Sequence, residues 1–345
     1  MKAAIIGASG YGGVELVRLL ANHPKVFVHS IHSSSQAGST LQDQYPHLSN
    51  HKTLLFEDID CAKIAREVDI VFTATPSGVS SNLTPQLLDF GVKVIDLSGD
   101  FRIQDPSLYE EWYDKPSAPK NYLEQAIYGL SEWNKDEVKS ATVIANPGCY
   151  PTATLLGLAP LVRNSLIKES SIIIDAKSGV TGAGRNPSRA THFSETNENL
   201  KIYKVNQHQH IPEIEQVLSG WNDQVKPITF STHLVPMTRG IMATIYAEAS
   251  DHLSTASLLE LYNNSYKNSP FVRIKENGLF PATKEVYGSN YCDIGITYDE
   301  RTGRVTVVAV IDNLVKGAAG QAVQNVNIMM GIDERTGLDF IPVYP

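Results

Sequence analysis

The chain has 345 residues, 42% of them hydrophobic and 19% charged, and a formal net charge of −8. That length predicts two cores rather than one, and the acidic balance without any lysine or arginine block excludes a broad nucleic-acid surface. No apolar run is long enough for a membrane span, and the first strand starts too close to Met1 for a targeting segment to be expected.

Lys2 to Ile6 reads as an apolar strand running into the turn Gly7-Ala8-Ser9-Gly10-Tyr11-Gly12-Gly13. Val14, Val17 and Leu20, with Leu16 and Leu19, then form a helical stripe that His23-Pro24 ends. Val26 to Ile31 alternates like a strand. Asp69 to Thr75 reads as a buried strand ending in Thr75-Pro76-Ser77-Gly78, with a helix to about Phe90, and Val92 to Leu97 and Thr142 to Ala145 as further strands. Such alternation predicts an α/β fold with a Rossmann-type, doubly wound parallel sheet. Between Asp100 and Tyr128 the chain reads instead as an irregular, aromatic- and proline-rich excursion, long enough to carry function or to cover something.

From Ser170 the strands lengthen and alternate: Ser171 to Lys177, Ile228 to Val235, Ile241 to Ala249 and Val305 to Ile311. Helices at roughly Ser254 to Lys267 and Gly317 to Met330 are interleaved, which predicts an α+β domain with a mostly antiparallel sheet. The expected division is a dinucleotide-binding domain at 1–148 and about 313–345, and a catalytic, substrate and oligomerisation domain at 149–312.

Gly7, Gly10 and Gly13 allow backbone to approach a pyrophosphate while helix N–H groups and the helix dipole face it. The pattern follows a strand and opens a helix, the context a dinucleotide turn requires. About 20 residues beyond such a turn an NAD-specific site offers an acid to the ribose hydroxyls. Here stand His32-Ser33-Ser34-Ser35-Gln36, which leave a 2′-phosphate unopposed, so NADP(H) is expected over NAD.

Cys61, Cys149 and Cys292 form neither a CxxC pair nor a zinc pattern, which points to reduced thiols and a cytoplasmic location. Cys61 and Cys292 read as small buried hydrophobes. Cys149 differs, because Asn146-Pro147-Gly148-Cys149-Tyr150-Pro151-Thr152 puts it in a tight turn at a helix N-terminus, where the dipole favours thiolate. A proton carrier is sought in His208-Gln209-His210-Ile211-Pro212-Glu213. If that segment is extended, His208 and His210 point to one side, and Glu213 in the next helix can orient a ring. The two histidines lack a third ligand at suitable spacing, so no metal is expected. Arg102, Arg185 and Arg239, each beside a glycine-rich or strand-end turn, are the candidates for binding an anion.

These segments resemble the N-acetyl-gamma-glutamyl-phosphate reductases, the arginine-pathway branch of the semialdehyde dehydrogenase superfamily. The likeness covers the opening turn, Val94-Ile95-Asp96-Leu97-Ser98-Gly99-Asp100-Phe101-Arg102, the Cys149 turn, Ser178 to Arg185, His192-Phe193-Ser194-Glu195, the histidine motif, and Asp312-Asn313-Leu314-Val315-Lys316-Gly317. It implies that Cys149 is the nucleophile, that the histidine motif holds the acid–base residue, that Asn313 lies near the nicotinamide, and that the chain forms dimers or tetramers. The expected coenzyme residues are Gly7, Ser9, Gly10, Tyr11, Gly12, Gly13, Ser33, Ser34, Pro76, Gly179 and Asn313; Asn146 joins the three arginines on the substrate side. Two departures stand out: Ser34 and Gln209 occupy positions where the family usually has arginine.

The chemistry expected is NADPH-dependent reduction of an acyl phosphate through a thioester on Cys149. Two other readings stay open. One is a reductase for aspartyl phosphate or for aminoadipyl phosphate held on a carrier. The other is a dinucleotide-sensing protein without catalysis.

Overall fold

The computed structural model describes residues 1–344. Among them the strands form two seven-stranded sheets, and the chain divides into two compact units. The first comprises Met1–Pro147 and Ala318–Asp339; the second comprises Gly148–Gly317 and the residues from Phe340 on. No helix among the described residues is long and apolar enough to cross a membrane.

In the first unit lie β1 (Lys2–Ile6), β2 (Phe27–His32), β3 (Phe56–Glu57), β4 (Ile70–Thr73), β5 (Lys93–Asp96), β6 (Ala126–Tyr128) and β7 (Val143–Ala145). Their order is β3-β2-β1-β4-β5-β7-β6, and every pair is parallel. Ala3, Ala4, Ile5 and Ile6 are wholly buried. A central parallel strand is covered on both faces, so β1 reads as an unbroken apolar run. The chain winds from β1 out to β3 and restarts with β4 on the other side of β1. The carboxyl ends of β1 and β4 therefore mark the switch point at which such sheets take ligands.

The 100–128 excursion is more ordered than its composition suggests. It contains the helix Pro106–Tyr113 and ends in β6. The Asp105 carboxylate accepts the Ser107 N–H at 2.8 Å, and Pro106 sits where a missing N–H costs nothing. The segment is tied down by Asp100, which accepts the Tyr109 hydroxyl at 2.6 Å and the N–H groups of Gly78 and Ser81 at 2.9 Å. Burial, and then the nearby charge of Asp96, raises the Asp100 pKa.

The second unit holds β8 (Ile173–Ser178), β9 (Lys201–Tyr203), β10 (Thr229–Leu234), β11 (Ile241–Glu248), β12 (Val272–Ile274), β13 (Cys292–Asp299) and β14 (Arg304–Ile311). The order is β12-β13-β14-β11-β8-β10-β9; β8/β10 and β12/β13 are parallel and the other pairs antiparallel. The sequence pattern does not announce β13, because Gly295 breaks its alternation and Asp293 looks like a surface residue. Asp293 is instead wholly buried and bonded at 2.6 Å by Arg273 Nε. The helix Cys149–Arg163 packs on one face of the sheet, where a Cβ on Gly157 would stand 3.0 Å from Ile245 Cδ1. On the other face Ile173 and Tyr246 are 39% and 36% exposed.

The last helix, Gly320–Met329, belongs to the first unit and is buried along its whole length. Asn325 fixes it by donating to the Gly129 carbonyl at 2.8 Å and to Asn146 Oδ1 at 3.2 Å.

Candidate active site

The opening glycines divide into two kinds. Gly7 has φ +91°, and a Cβ there would stand 2.4 Å from the Ala74 carbonyl oxygen; at Gly13 it would stand 2.4 Å from that of Gly7. These two let strand and helix close up. A Cβ on Gly12 would meet nothing within 4 Å. Gly10 caps the helix Tyr11–Leu20 with no side-chain acceptor and no acid in the first turn. The leading N–H groups thus lack intrahelical partners beside an open backbone, and the turn fits a dinucleotide pyrophosphate.

After β2, Ser33 is buried and Ser34 exposed, and Pro76 is exposed after β4. His32 is no cation for a phosphate: burial lowers its pKa, and its ring nitrogens lie 2.9 Å from the Asp58 carbonyl and from Ser30 Oγ. One contact at this turn has no local signal. The Tyr45 hydroxyl, far along the chain, donates to the Ser9 carbonyl at 2.9 Å.

In the second unit Cys149 is the first residue of the helix Cys149–Arg163, and Gly148 is its cap. This is where helix N–H groups and dipole favour a thiolate. Glu213, wholly buried, accepts the Gly148 N–H through Oε1 at 2.8 Å. It therefore anchors the turn that carries the thiol, a role that its expected one of orienting a ring does not include. Thr152 Oγ donates to the Gly148 carbonyl at 2.8 Å. The Tyr150 N–H has no partner among the described residues and stands one residue beyond the thiol. Gly317, in the π-helical turn Val315–Ala319, approaches from the other side. A Cβ there would stand 2.8 Å from the Cys149 Cβ, so only glycine lets this turn close on the nucleophile.

The histidine segment is a turn rather than an extended strand, since the His208 carbonyl accepts the Ile211 N–H at 2.9 Å. The rings nevertheless come together, 4.7 Å between centroids. Burial, with a smaller contribution from the Lys204 charge, lowers the His208 pKa to about 3. Its Nδ1 accepts the His210 backbone N–H at 3.2 Å, which fixes the proton on Nε2. Tyr150 stands edge-on to His208 at 5.3 Å and lies 3.1 Å, oxygen to oxygen, from the Tyr203 hydroxyl. Burial raises the pKa of both tyrosines, so neither is a proton donor of consequence at neutral pH.

The other candidates fall into two groups. In the first unit Arg102 donates through Nε to the Asn146 carbonyl at 2.7 Å and through Nη2 to that of Leu97 at 2.9 Å. Asn146 also gives Nδ2 to the Ala318 carbonyl at 3.1 Å. In the second unit Asn313 accepts the Gly240 N–H at 2.8 Å and donates to Thr181 Oγ1 at 3.0 Å. It thereby ties the Gly179 loop to the turn bearing Arg239. Arg239 lies 3.5 Å from buried Asp312, and Arg185 is exposed. Asp312, unremarked in the sequence beyond its motif, also accepts the N–H groups of Leu314 at 2.8 Å and Gly288 at 2.7 Å.

A family model described as the NAD binding domain of semialdehyde dehydrogenase matches residues 2–141, and one described as its dimerisation domain matches 149–313. The chain is 64% identical over 345 residues to an N-acetyl-gamma-glutamyl-phosphate reductase of Geobacillus sp. strain WCH70, and 61% identical to that of Bacillus cytotoxicus, with 100% of each chain covered. Among solved structures, aspartate semialdehyde dehydrogenase II of Vibrio cholerae in complex with ASA aligns with a TM-score of 0.72 at 18% identity, covering 96% of this chain and 98% of that one. The aspartate semialdehyde dehydrogenase of Candida albicans with NADP aligns with a TM-score of 0.70 at 15% identity, covering 95% and 98%. At such identities the structures speak for the fold alone.

Proposed function

The chain belongs to the N-acetyl-gamma-glutamyl-phosphate reductases of the semialdehyde dehydrogenase family, and on that premise we propose that it reduces N-acetyl-gamma-glutamyl phosphate, with NADPH, to N-acetyl-glutamate 5-semialdehyde and phosphate. This is a step of arginine biosynthesis. The observation that carries the reading is Cys149 at a helix N-terminus, its turn anchored by Glu213, with a buried histidine pair packed against the adjacent Tyr150.

The Cys149 thiolate attacks the acyl carbonyl carbon, and the carbon–oxygen bond to phosphate breaks with its electron pair on the phosphate, leaving a thioester. The Tyr150 N–H is placed to hold the oxyanion. Bound NADPH supplies a hydride; Gly7, Ser9, Gly10, Tyr11, Gly12, Gly13, Ser33, Ser34 and Pro76, with Gly179 and Asn313, are the residues assigned to hold it. His210 gives a proton to the resulting thiohemiacetal oxygen. It then takes that proton back as the carbon–sulfur bond breaks and releases the aldehyde and the Cys149 thiolate. His208, neutral throughout, holds the His210 backbone. Arg102, Arg185, Arg239 and Asn146 are assigned to the anionic substrate.

The reaction is tested in reverse, with N-acetyl-glutamate 5-semialdehyde, phosphate and NADP. The expected result is phosphate-dependent formation of NADPH, faster with NADP than with NAD. Turnover that ignores phosphate, or equal turnover on aspartate semialdehyde, would replace this substrate assignment.

The chain forms homo-oligomers. A dimer or tetramer built through the second unit is the assembly we favour, supported by the exposed Ile173 and Tyr246 on its sheet; a solution mass of one chain would rule it out. The absence of any disulfide among the described residues supports placing it in the cytoplasm.

A further inference from the structure

Lys204 follows β9 directly and has a backbone φ of +45°, in the left-handed region that side-chain-bearing residues seldom adopt. Strain of this kind persists where the surrounding structure enforces it, and it gathers at ligand sites. The exposed side chain folds back so that Nζ donates to Gln209 Oε1 at 2.7 Å. Gln209 is the residue between His208 and His210. Its amide orients the ammonium without neutralising it, and among the described residues Lys204 has no carboxylate partner. A positive charge is thus presented at the histidine segment, and it is felt there, since it contributes to the lowered pKa of His208.

The substrate carries a carboxylate a few bonds from its reacting carbonyl, and that carboxylate needs a cation while the carbonyl meets Cys149. A single ammonium on a flexible stem is a point charge suited to one carboxylate, whereas a planar guanidinium fork suits phosphate. We propose that Lys204, presented by Gln209, binds the carboxylate of the acyl-phosphate substrate and so selects for a substrate that carries one. This assignment rests on the reductase reading above. It also accounts for Gln209 at a position where the resemblance leads one to expect arginine: the cation comes from five residues upstream instead.

The test uses the wild type, Lys204→Met, Lys204→Arg and the double variant Lys204→Met/Gln209→Arg, in the oxidative direction, varying semialdehyde and phosphate separately. Lys204→Met is expected to raise the semialdehyde KM about tenfold or more, with kcat and the phosphate KM little changed. Lys204→Arg and the double variant, which restore a cation, recover most of the loss. A rise in the phosphate KM alone, or no change in either KM, overturns the assignment to Lys204 and leaves the reductase reading standing. A wild type without phosphate-dependent turnover overturns both.

Discussion

Cys149→Ala is expected to lower kcat by a factor of about 10⁴ or more while NADPH still binds. The magnitude follows from what the thiol supplies. Without sulfur the hydride has no thioester to reduce, and no other side chain at the helix N-terminus can take its place. Thr152 directs its hydroxyl to the Gly148 carbonyl, and the tyrosine hydroxyls are kept protonated by burial. Cys149→Ser should fail almost as badly, because a helix dipole that stabilises a thiolate does not bring an alkoxide into range at neutral pH. NADPH binding, read by coenzyme fluorescence, should be kept because the opening glycine turn belongs to the other unit. Loss of binding together with turnover would mean that the variant had unfolded. An alanine variant that still turned over would remove Cys149 from the chemistry.

The histidines should separate just as clearly. His210→Gln is expected to cost about 10²–10⁴ in kcat, the usual worth of a placed proton carrier. His208→Gln should cost less, since it removes only an acceptor for the His210 backbone N–H at 3.2 Å. The pH dependence tests His208 more sharply than the rates. With its pKa lowered from 6.5 to about 3, His208 is neutral over the whole working range. The shape of the pH–rate profile over that range should therefore be unchanged in His208→Gln; a titration lost with that residue would contradict its buried, neutral ring. His208 acts instead on stability. The unfolded chain takes up a proton at this residue below pH 6.5 that the folded chain refuses until about pH 3. Its contribution is accordingly lost as the pH falls through that window. Melting temperatures of the wild type should fall more steeply there than those of His208→Gln; parallel curves would contradict the buried neutral ring.

Much of this was legible in the sequence because it is local. A strand, a glycine turn and a helix sit in consecutive residues at the start of the chain. Asn146-Pro147-Gly148-Cys149 likewise places a thiol and its helix within one short stretch. The histidine pair was legible as a pair, but not the lowered basicity of His208, which comes from its burial among Tyr150, Tyr203 and Phe230 after the chain has folded. The same holds for β13. Its buried Asp293 makes sense only beside Arg273 and Lys275, which a sequence window on β13 does not contain. Gly317 at the Cys149 Cβ and Tyr45 on the glycine turn belong to this class too, each meeting its partner from a distant part of the chain. The helix at Pro106 is different: the Asp105-Pro106 signal was present and was outweighed by the proline-rich composition around it.

The most direct measurement is to mix the enzyme with the acyl phosphate in the absence of NADPH, quench with acid and weigh the intact protein. One acyl group attached at Cys149, with an equal amount of phosphate released, is the expected result. Phosphate released with no adduct, or an adduct that forms equally in Cys149→Ala, would contradict a thioester on this residue.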